Sequence, residues 1–387
     1  MPNDCSVYDP QEDSTLLEKH VKQLAFGNVL DIGTGSGIQA LAAAQNPRVA
    51  SVLAADVQKG AVSYCKKTIK NRKIKFVHSD LFKKIKGKFD TIIFNPPYLP
   101  QELKIRDAAL EGGKKGYEVI EKFLMQAGNF LRQNGIILMV FSSLTKKGRV
   151  EHFIKDSLFD FVELEKSHIF FEDIYVYLLK KNDMLKKFES IGIKEAKYFT
   201  HGHRGVLFRG MLHGKNVVIK AENPSSTAIN RVKNETRWLK ILNRHGIGPK
   251  LLKESPEFFV YGYIEGEFIE PFIKKSSRAT IKKILLDLFR QMYILDRLNA
   301  DKEEMHHPHK HVIISKKKPV LVDFERMHKV HSPKNATQFC QYLLSSHLTE
   351  ILAEKKIYID KMKFIALAKA YKRNMATSSL KKITDAI

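Results

Sequence analysis

Residues 28–37 of the chain read NVLDIGTGSG, and residues 94–98 read FNPPY. In the first stretch a short apolar strand runs into a turn with three glycines, and Ala-rich helical sequence follows. Glycines at such a turn let the backbone pass close to a ligand beside the N-terminus of the next helix. The same kind of turn occurs in dinucleotide-binding proteins, so it predicts a ligand site without naming the ligand.

Short apolar runs alternate with helix-length segments through the first half of the chain. Strands are predicted at residues 28–32, 51–55, 74–78, 91–94 and 135–141, with helices at 37–45, 60–71 and 118–132. Two further β-rich runs, 159–169 and 173–179, have nothing helical between them and predict a closing antiparallel pair. Strands that alternate with helices indicate an α/β Rossmann-like domain, here with seven strands and a mostly parallel sheet.

The pattern of apolar and charged residues changes after residue 179. The segment KKNDMLKK at 180–187 is charged and lacks apolar periodicity, so a domain boundary is predicted near residue 181. β-like runs at 204–212 and 216–221 follow, then a helix at 225–243, a strand at 257–264 and helical patterns from residue 278. Strands first and helices later predict an α+β two-lobed domain over 182–387, after the first domain at 1–181.

Polar residues stand at the predicted strand ends of the first domain. Asp56 can accept both hydroxyls of a ribose, and Asp80 can face an exocyclic amine of adenine. Taken alone, these carboxylates are equally typical of surface groups that cap helices. Asn95 offers a donor and an acceptor to a planar –NH2 group, and two prolines after it restrict the backbone. This combination indicates methyl transfer to an amide or amino nitrogen rather than hydride transfer.

Four motifs in order carry a family resemblance: VYDPQEDSTLL at 7–17, the glycine turn, NPPY at 95–98 and GGKKGYEVIEKFL at 112–124. The region resembles the HemK/PrmC branch of S-adenosylmethionine-dependent methyltransferases, and more narrowly the HemK2-type enzymes. The resemblance implies N5-methylation of the glutamine in the GGQ loop of a class I release factor, with a small activator subunit as partner. Two other methyl acceptors remain as alternatives, an adenine of nucleic acid and a protein lysine.

The resemblance also assigns residues. Those implied to line S-adenosylmethionine are Ser14, Asp31, Gly33, Gly35, Asp56, Asp80, Leu81 and Asn95. Asn95 would also hold the substrate amide, helped by Pro96, Pro97 and Tyr98. Amide nitrogen is a poor nucleophile, so positioning in line with the methyl group supplies much of the rate.

Residues 185–387 resemble protein-kinase-like folds, in particular archaeal predicted serine/threonine kinases related to the RIO and Bud32 kinases. The matching segments are HRG at 203–205, VVIK at 217–220, a P-x-KHVI segment and DFER at 323–326. The resemblance implies a nucleotide site of Gly202, Gly205, Lys220, Glu235 and Asp323, with ATP as ligand and Asp323 holding Mg²⁺.

The kinase catalytic loop HxDxxxxN is altered in this chain. His306 stands at the Asp position and His311 at the Asn position, and Glu303 or Glu304 is an alternative base in a shifted register. ATP binding is therefore expected, while phosphoryl transfer stays open. The tract HHPHKH at 306–311 allows either a metal site or a loop of exposed imidazoles.

The chain of 387 residues carries 66 Lys and Arg against 42 Asp and Glu, a net charge of +24. Residues 1–181 hold 27 basic and 21 acidic residues, and residues 182–387 hold 39 and 21. The second domain is therefore expected to contact ribosome or RNA, unless every surface of the protein is uniformly basic. Three scattered cysteines, an acidic polar N-terminus and the lack of a run near ~18 apolar residues predict a cytoplasmic protein without a membrane span.

Overall fold

The computed structural model describes residues 11–97, 116–169, 171–201, 205–222 and 231–387. Within these residues the chain forms two compact units. One takes in the described residues of Met1–Phe199 and Arg209–Gly214, and the other those of Thr200–Phe208 and Lys215–Ile387. None of the helices in the described ranges is long and apolar enough to cross a membrane.

The first unit is built on a mixed sheet of seven strands. Its strands are β1 (Gly27–Ile32), β2 (Val49–Asp56), β3 (Ile74–His78), β4 (Phe89–Phe94), β5 (Leu131–Ser142), β6 (Phe159–Ile169) and β7 (Glu172–Lys181). Its helices are α1 (Glu12–Leu24), α2 (Ile38–Gln45), α3 (Lys59–Thr68), α4 (Glu118–Phe130), α5 (Lys147–Asp156) and α6 (Asp183–Ser190).

The strand order is β3-β2-β1-β4-β5-β7-β6. The first five are parallel, and β7 lies antiparallel between β5 and β6. The Rossmann-like sheet and its closing antiparallel pair are thus confirmed. The central strands are almost fully buried and read as continuous apolar runs, because helices cover both faces of a parallel sheet. Val29, Ala54, Ile93, Leu138 and Val176 belong to this core.

The charged segment after β7 corrects one interpretation of the sequence. It contains α6, whose start is capped by Asn182: its side chain accepts a hydrogen bond from the Leu185 backbone N–H at 2.8 Å. Leu185 and Phe188, three residues apart, are buried. Two apolar residues one turn apart are enough to seat a short helix, even when its other side is all charge.

The second unit begins with strands and ends with helices. The strands that follow β7 are β8 (Ile193–His201), of which residues 193–199 belong to the first unit, β9 (Gly205–Leu212), of which residues 209–212 do, β10 (Lys215–Glu222), β11 (Leu251–Glu254), β12 (Phe258–Gly262), β13 (Glu267–Phe268), β14 (Ala300–Asp301), β15 (Val312–Ser315), β16 (Lys318–Leu321) and β17 (His328–Lys329). The helices of the second unit are α7 (Arg231–Asn243), α8 (Ile269–Lys275), α9 (Arg278–Arg297), α10 (Asn335–Leu343), α11 (Ser346–Glu354), α12 (Lys361–Asn374) and α13 (Thr377–Asp385).

Two features of the second unit position its polar residues. Strand β12 pairs antiparallel with both β10 and β11, and α7 follows β10 along the chain. The hairpin β15–β16 leads directly to Asp323. Helix α9 is capped by Ser277, whose side chain accepts from the Thr280 N–H, and it buries an apolar face that includes Ile281, Leu288 and Leu295.

Candidate active site

A cavity of about 450 Å³ opens at the carboxyl ends of β1, β2 and β4. Its wall is formed by the start of α1, the glycine turn after β1, and residues that follow β2, β3 and β4. This is the edge of a parallel sheet where ligands bind in α/β folds. The volume falls within the range of about 300–1,000 Å³ that small-molecule sites occupy.

The glycine turn forms one wall of the cavity. Gly33, Gly35 and Gly37 have φ of 71°, 52° and 86°, the left-handed region that glycine adopts without strain. A Cβ on Gly37 would overlap Ile69 Cδ1 and lie 3.3 Å from Cys65 Sγ. The turn is therefore held tightly against α3.

Asp56 stands at the carboxyl end of β2 on the cavity wall. Its Oδ2 accepts the Gly35 N–H at 2.9 Å, and its Oδ1 accepts the Gln58 N–H at 2.8 Å. Two backbone donors thus fix the orientation of a nearly buried carboxylate. A carboxylate held in this way can accept hydroxyl groups of a ribose.

Asp31 lies behind the glycine turn rather than on the cavity wall. It is fully buried, and its Oδ2 accepts the Thr34 hydroxyl at 2.6 Å. Burial raises the pKa of Asp31 to about 7, and the negative charge of Asp56 adds to the shift. Asp31 therefore braces the turn from inside and gains its charge near neutral pH.

Asn95 borders the cavity directly after β4. Its Nδ2 donates to Asp13 Oδ2 and to Ser14 Oγ, each at 3.1 Å. A carboxylate can only accept, so Asp13 determines which end of the carboxamide faces it. Oδ1 is then the end of Asn95 that can accept from an –NH2 group.

Asp13 is a site residue that the sequence analysis missed. It stands beside Ser14 in the QEDS segment, and both are buried at the start of α1. Gln39 ties this start to α2, because its Nε2 donates to the Ser14 carbonyl at 2.8 Å. The adjacent carboxylate was a visible signal, but only the fold brings it to Asn95 from a position 82 residues earlier in the chain.

The remaining predicted residues of this site divide by exposure. Asp80 and Leu81 both border the cavity, but the Asp80 side chain is about half exposed and pairs with Lys83 at 2.6 Å. Leu81 has a φ of 45°. Pro96 and Pro97 line the cavity, and Tyr98 lies outside the described residues.

Two buried polar atoms on the cavity wall lack a partner in the described part of the chain. They are Ser36 Oγ and Gln39 Oε1. Buried polar atoms are nearly always hydrogen-bonded, so an orphaned pair on a cavity wall fits a bound ligand with polar groups.

Comparison with known proteins identifies the class. Residues 9–170 match the family model "Methyltransferase small domain". The chain is 39% identical over 146 residues to a Methanocaldococcus jannaschii protein named for N5-glutamine methyltransferase activity, covering 36% of this chain and 74% of that protein. It is 33% identical to mouse methyltransferase HEMK2, covering 35% of this chain and 71% of that protein. It is 36% identical to the release factor glutamine methyltransferase of Borreliella burgdorferi, over 34% of this chain and about half (52%) of that enzyme.

The fold and these relatives together define a methyltransferase unit with a Rossmann-like fold. The chain belongs to the HemK-type family of protein glutamine N-methyltransferases, and its cofactor is S-adenosylmethionine.

A second group of charged residues lies in the other unit. Lys220 Nζ, in β10, donates to Glu235 Oε2 at 2.7 Å and to Asp323 Oδ1 at 2.8 Å, and lies 3.4 Å from Glu325 Oε2. Burial alone would lower the pKa of Lys220, but the three carboxylates raise it well above its usual value. The sequence-predicted residues Lys220, Glu235 and Asp323 therefore meet in one cluster.

Asp323 has a φ of 65°, unusual for a residue other than glycine. Burial would raise its pKa, but Lys220 outweighs this effect and the pKa of Asp323 is lowered. Strained backbone of this kind costs about 1–3 kcal/mol and concentrates at functional sites. Gly205 approaches the cluster, since a Cβ there would lie 3.1 Å from Lys220 Cε, and Gly202 lies outside the described residues.

Lys302, Glu304 and Glu325 complete this cluster, and the sequence analysis gave no role to Lys302 or Glu325. Lys302 is buried, and its Nζ donates to the Asp323 carbonyl at 2.8 Å. Burial lowers the pKa of Lys302 to about 8. His311 lies 2.9 Å from Glu304, whereas His306, at the predicted position of the kinase Asp, is exposed.

Proposed function

We propose that the first unit methylates the side-chain nitrogen of the GGQ glutamine in a class I release factor. The observation that carries this proposal is the orientation of Asn95 by Asp13 and Ser14 on the cavity wall. The activity for which the Borreliella relative is named supports the choice of substrate. We assign the site to residues 1–181 and the second function to 182–387.

The chemistry asks two things of the chain's own residues. Asp56, with Gly33 and Gly35, binds the nucleoside part of the cofactor. Asn95 Oδ1 and the Pro96 carbonyl accept the two hydrogens of the glutamine –NH2 and turn its lone pair toward the cavity. Bound S-adenosylmethionine would supply a methyl group on a good leaving group, the thioether, and the methylated nitrogen would then give up one proton to water. No strong base is therefore needed, and positioning dominates.

Transfer of tritium from labelled cofactor to recombinant release factor tests this proposal. We expect label on the GGQ glutamine, located by mass spectrometry, and at least a hundredfold loss in Asn95→Ala. Asn28→Ala is the matched control, because Asn28 lies in β1 with its Oδ1 accepting from Ser51 and should retain full activity.

The other acceptors serve as arms of the same experiment. Label on a GGQ→GGA release factor, on a lysine peptide or on adenine of nucleic acid, at the wild-type rate, would overturn the glutamine assignment. Equal activity of wild type and Asn95→Ala would overturn the site.

A specific observation favours a second function for residues 182–387. Lys220 pairs with Glu235 as the phosphate-binding lysine and its partner do in kinase-like folds, and Asp323 lies 2.8 Å from the same lysine. We propose that this unit is kinase-like and binds ATP with a divalent cation. A thermal shift with ATP, lost in Asp323→Ala, tests binding, and autophosphorylation abolished by the same change tests phosphoryl transfer.

Two partners belong to the proposal. The first is a small activator subunit for the methyltransferase, for which β3 is an available edge strand of the described sheet. Co-expression with candidate small subunits, read as a gain in solubility and activity, tests it. The second is ribosome or RNA, supported by the 39 basic against 21 acidic residues of 182–387, and tested by the salt dependence of RNA binding.

A further inference from the structure

A second cavity, of about 640 Å³, lies in the second unit between α7 and the segment that follows Asp323. Among the described residues of its wall, one carboxylate, Glu303, stands against several basic side chains. The lysine and arginines of the wall are Arg231, Arg237, Arg326 and Lys329. A cleft lined mainly by one sign of charge concentrates ligands of the opposite sign, so this cavity favours an anion.

Most of these cations are not neutralised by neighbouring carboxylates. Arg326 is, because its Nη1 lies 2.6 Å from Glu304. Lys329 Nζ instead donates to the backbone carbonyl of Leu298, a neutral group, at 2.7 Å. Arg231 and Arg237 form no ion pair within the described part of the chain. Three full positive charges of the wall therefore remain for a ligand.

The fold holds the two sides of the cavity together. Asn234 of α7 donates from its Nδ2 to the carbonyls of Glu325 and Met327, each at 2.9 Å. Arg237 and Lys329, one from each side, lie 5.9 and 5.7 Å from the centre of the Trp238 ring. Trp238 is itself buried, so the indole packs under the cations and leaves no open face on which a base could stack.

A row of exposed cations continues from the cavity along α7. Four basic residues recur at intervals of three or four positions: Lys233, Arg237, Lys240 and Arg244. This spacing puts them on one side of the helix. Lys240 pairs with Glu254, while the acidic residue of α7, Glu235, is buried against Lys220. At a rise of 1.5 Å per residue the row is about 16 Å long.

We propose that this cavity and the basic row along α7 bind the phosphate backbone of an RNA strand. The inference rests on the proposed contact of residues 182–387 with RNA, and it assigns that contact to a place. Successive phosphates of a nucleic-acid strand lie about 3.4 Å apart along the helix axis, so a row of about 16 Å faces several of them. One phosphorylated side chain would fill the cavity and leave the row unused. Contacts to phosphate read no base, so binding is independent of RNA sequence.

Fluorescence anisotropy with a labelled single-stranded RNA of about 20 nucleotides tests the site in the full chain. We expect Arg231→Gln/Arg237→Gln/Lys329→Gln to bind about tenfold or more weakly at low salt. The slope of log affinity against log salt concentration should be smaller by about 2, because each lost phosphate contact removes about 0.7. Two RNAs of unrelated sequence should lose affinity by the same factor. Arg231→Lys/Arg237→Lys/Lys329→Arg keeps the three charges and should keep the wild-type slope.

Lys274→Gln/Lys283→Gln/Lys369→Gln is the matched control, since it removes the same charge from exposed positions of α8, α9 and α12. It should bind RNA as the wild type does, and thermal unfolding should show that both glutamine variants are folded. Equal losses in the two would overturn the site and leave RNA binding standing. A phosphoserine peptide that binds more tightly than RNA, with binding lost in the first variant, would overturn RNA as the occupant. A wild type that binds no RNA would overturn the proposed RNA contact itself.

Discussion

The two sites of this protein place charge in opposite ways. In the first, an open cavity is bordered by polar groups that backbone N–H groups and neighbouring side chains hold in place, as Gly35 and Gln58 hold Asp56. In the second, Lys220 is packed against three carboxylates. The first arrangement is held by hydrogen bonds to backbone and neighbouring side chains, whereas the second depends on attraction between opposite charges. Removal of one charge should therefore damage the second site far more.

The largest expected effect comes from Lys220→Met. It leaves Glu235, Asp323 and Glu325 close together without their shared cation, and breaking a buried ion pair costs about 3–5 kcal/mol. Urea unfolding, with hydrogen exchange to assign the transition to residues 205–387, measures the loss. Lys240→Met is the control: it removes an exposed pair with Glu254 and should cost about 1 kcal/mol or less. Equal losses would show that the Lys220 cluster depends no more on its charges than an exposed ion pair does.

Asp31 is the exception in the first site, because its buried charge makes that unit sensitive to pH. Its pKa is about 7 in the folded protein and about 4 in the unfolded chain. Between these values the folded state holds a proton that the unfolded state has released, so the free energy of unfolding falls as pH rises from about 4 to about 7.

Asp31→Asn should remove this part of the pH dependence. The difference in free energy of unfolding, variant minus wild type, should increase by about 2 kcal/mol or more between pH 5 and pH 8, because only the wild type loses stability over this range. Urea unfolding of both proteins without cofactor measures the difference. Parallel curves across this range would mean that Asp31 does not carry the shift.

Gly37→Ala tests whether the glycine turn depends on close contact or only on its φ. A Cβ at Gly37 meets Ile69 and Cys65, whereas Gly87, with a φ of 90°, has nothing within 4 Å of the added atom. Gly87→Ala should therefore cost about 1 kcal/mol from backbone strain alone, and Gly37→Ala about 2 kcal/mol or more. Cofactor affinity should fall only in Gly37→Ala, as isothermal titration calorimetry can show.

The smallest effect is expected from Asp13→Asn. The change keeps the volume of the side chain but replaces a carboxylate, which can only accept, by a carboxamide. The side-chain amide of Asn95 can then rotate by half a turn and exchange its nitrogen and oxygen. The turnover number should fall about tenfold with little change in the KM for S-adenosylmethionine, because the loss lies in substrate orientation. An unchanged turnover number would show that Ser14 alone suffices to orient Asn95.

Local sequence predicted much of the first site because its residues follow strand ends directly. Asp56 and Asn95 could be placed at the same edge of the sheet from their positions, since the carboxyl ends of parallel strands meet at one edge. The helix α6 was missed because two apolar residues are too few for a periodic signal. Asp13 was missed because its importance depends on which residue the fold brings to it.

The charged cluster around Lys220 was harder to predict from the sequence, for a physical reason. Lys220 and Asp323 are 103 positions apart, and no local pattern records that their side chains meet. Lys220, Glu235 and Asp323 could each be recognised in the sequence. The contribution of Lys302 and Glu325 became apparent only in the folded structure. In the folded structure Glu304 lies beside His311. His311 also lies near Asp323, whereas His306 is exposed.

The amino-acid sequence by itself determined the seven-stranded sheet, the glycine turn and the NPPY segment at the end of β4. These follow from hydrophobic periodicity and backbone preferences, which act over a few neighbouring residues. Only the tertiary structure decided how Asn95 is oriented, how deeply Asp31 is buried and which charges surround Lys220. Desolvation and ion pairing depend on distances in space, and such distances exist only once the chain has folded.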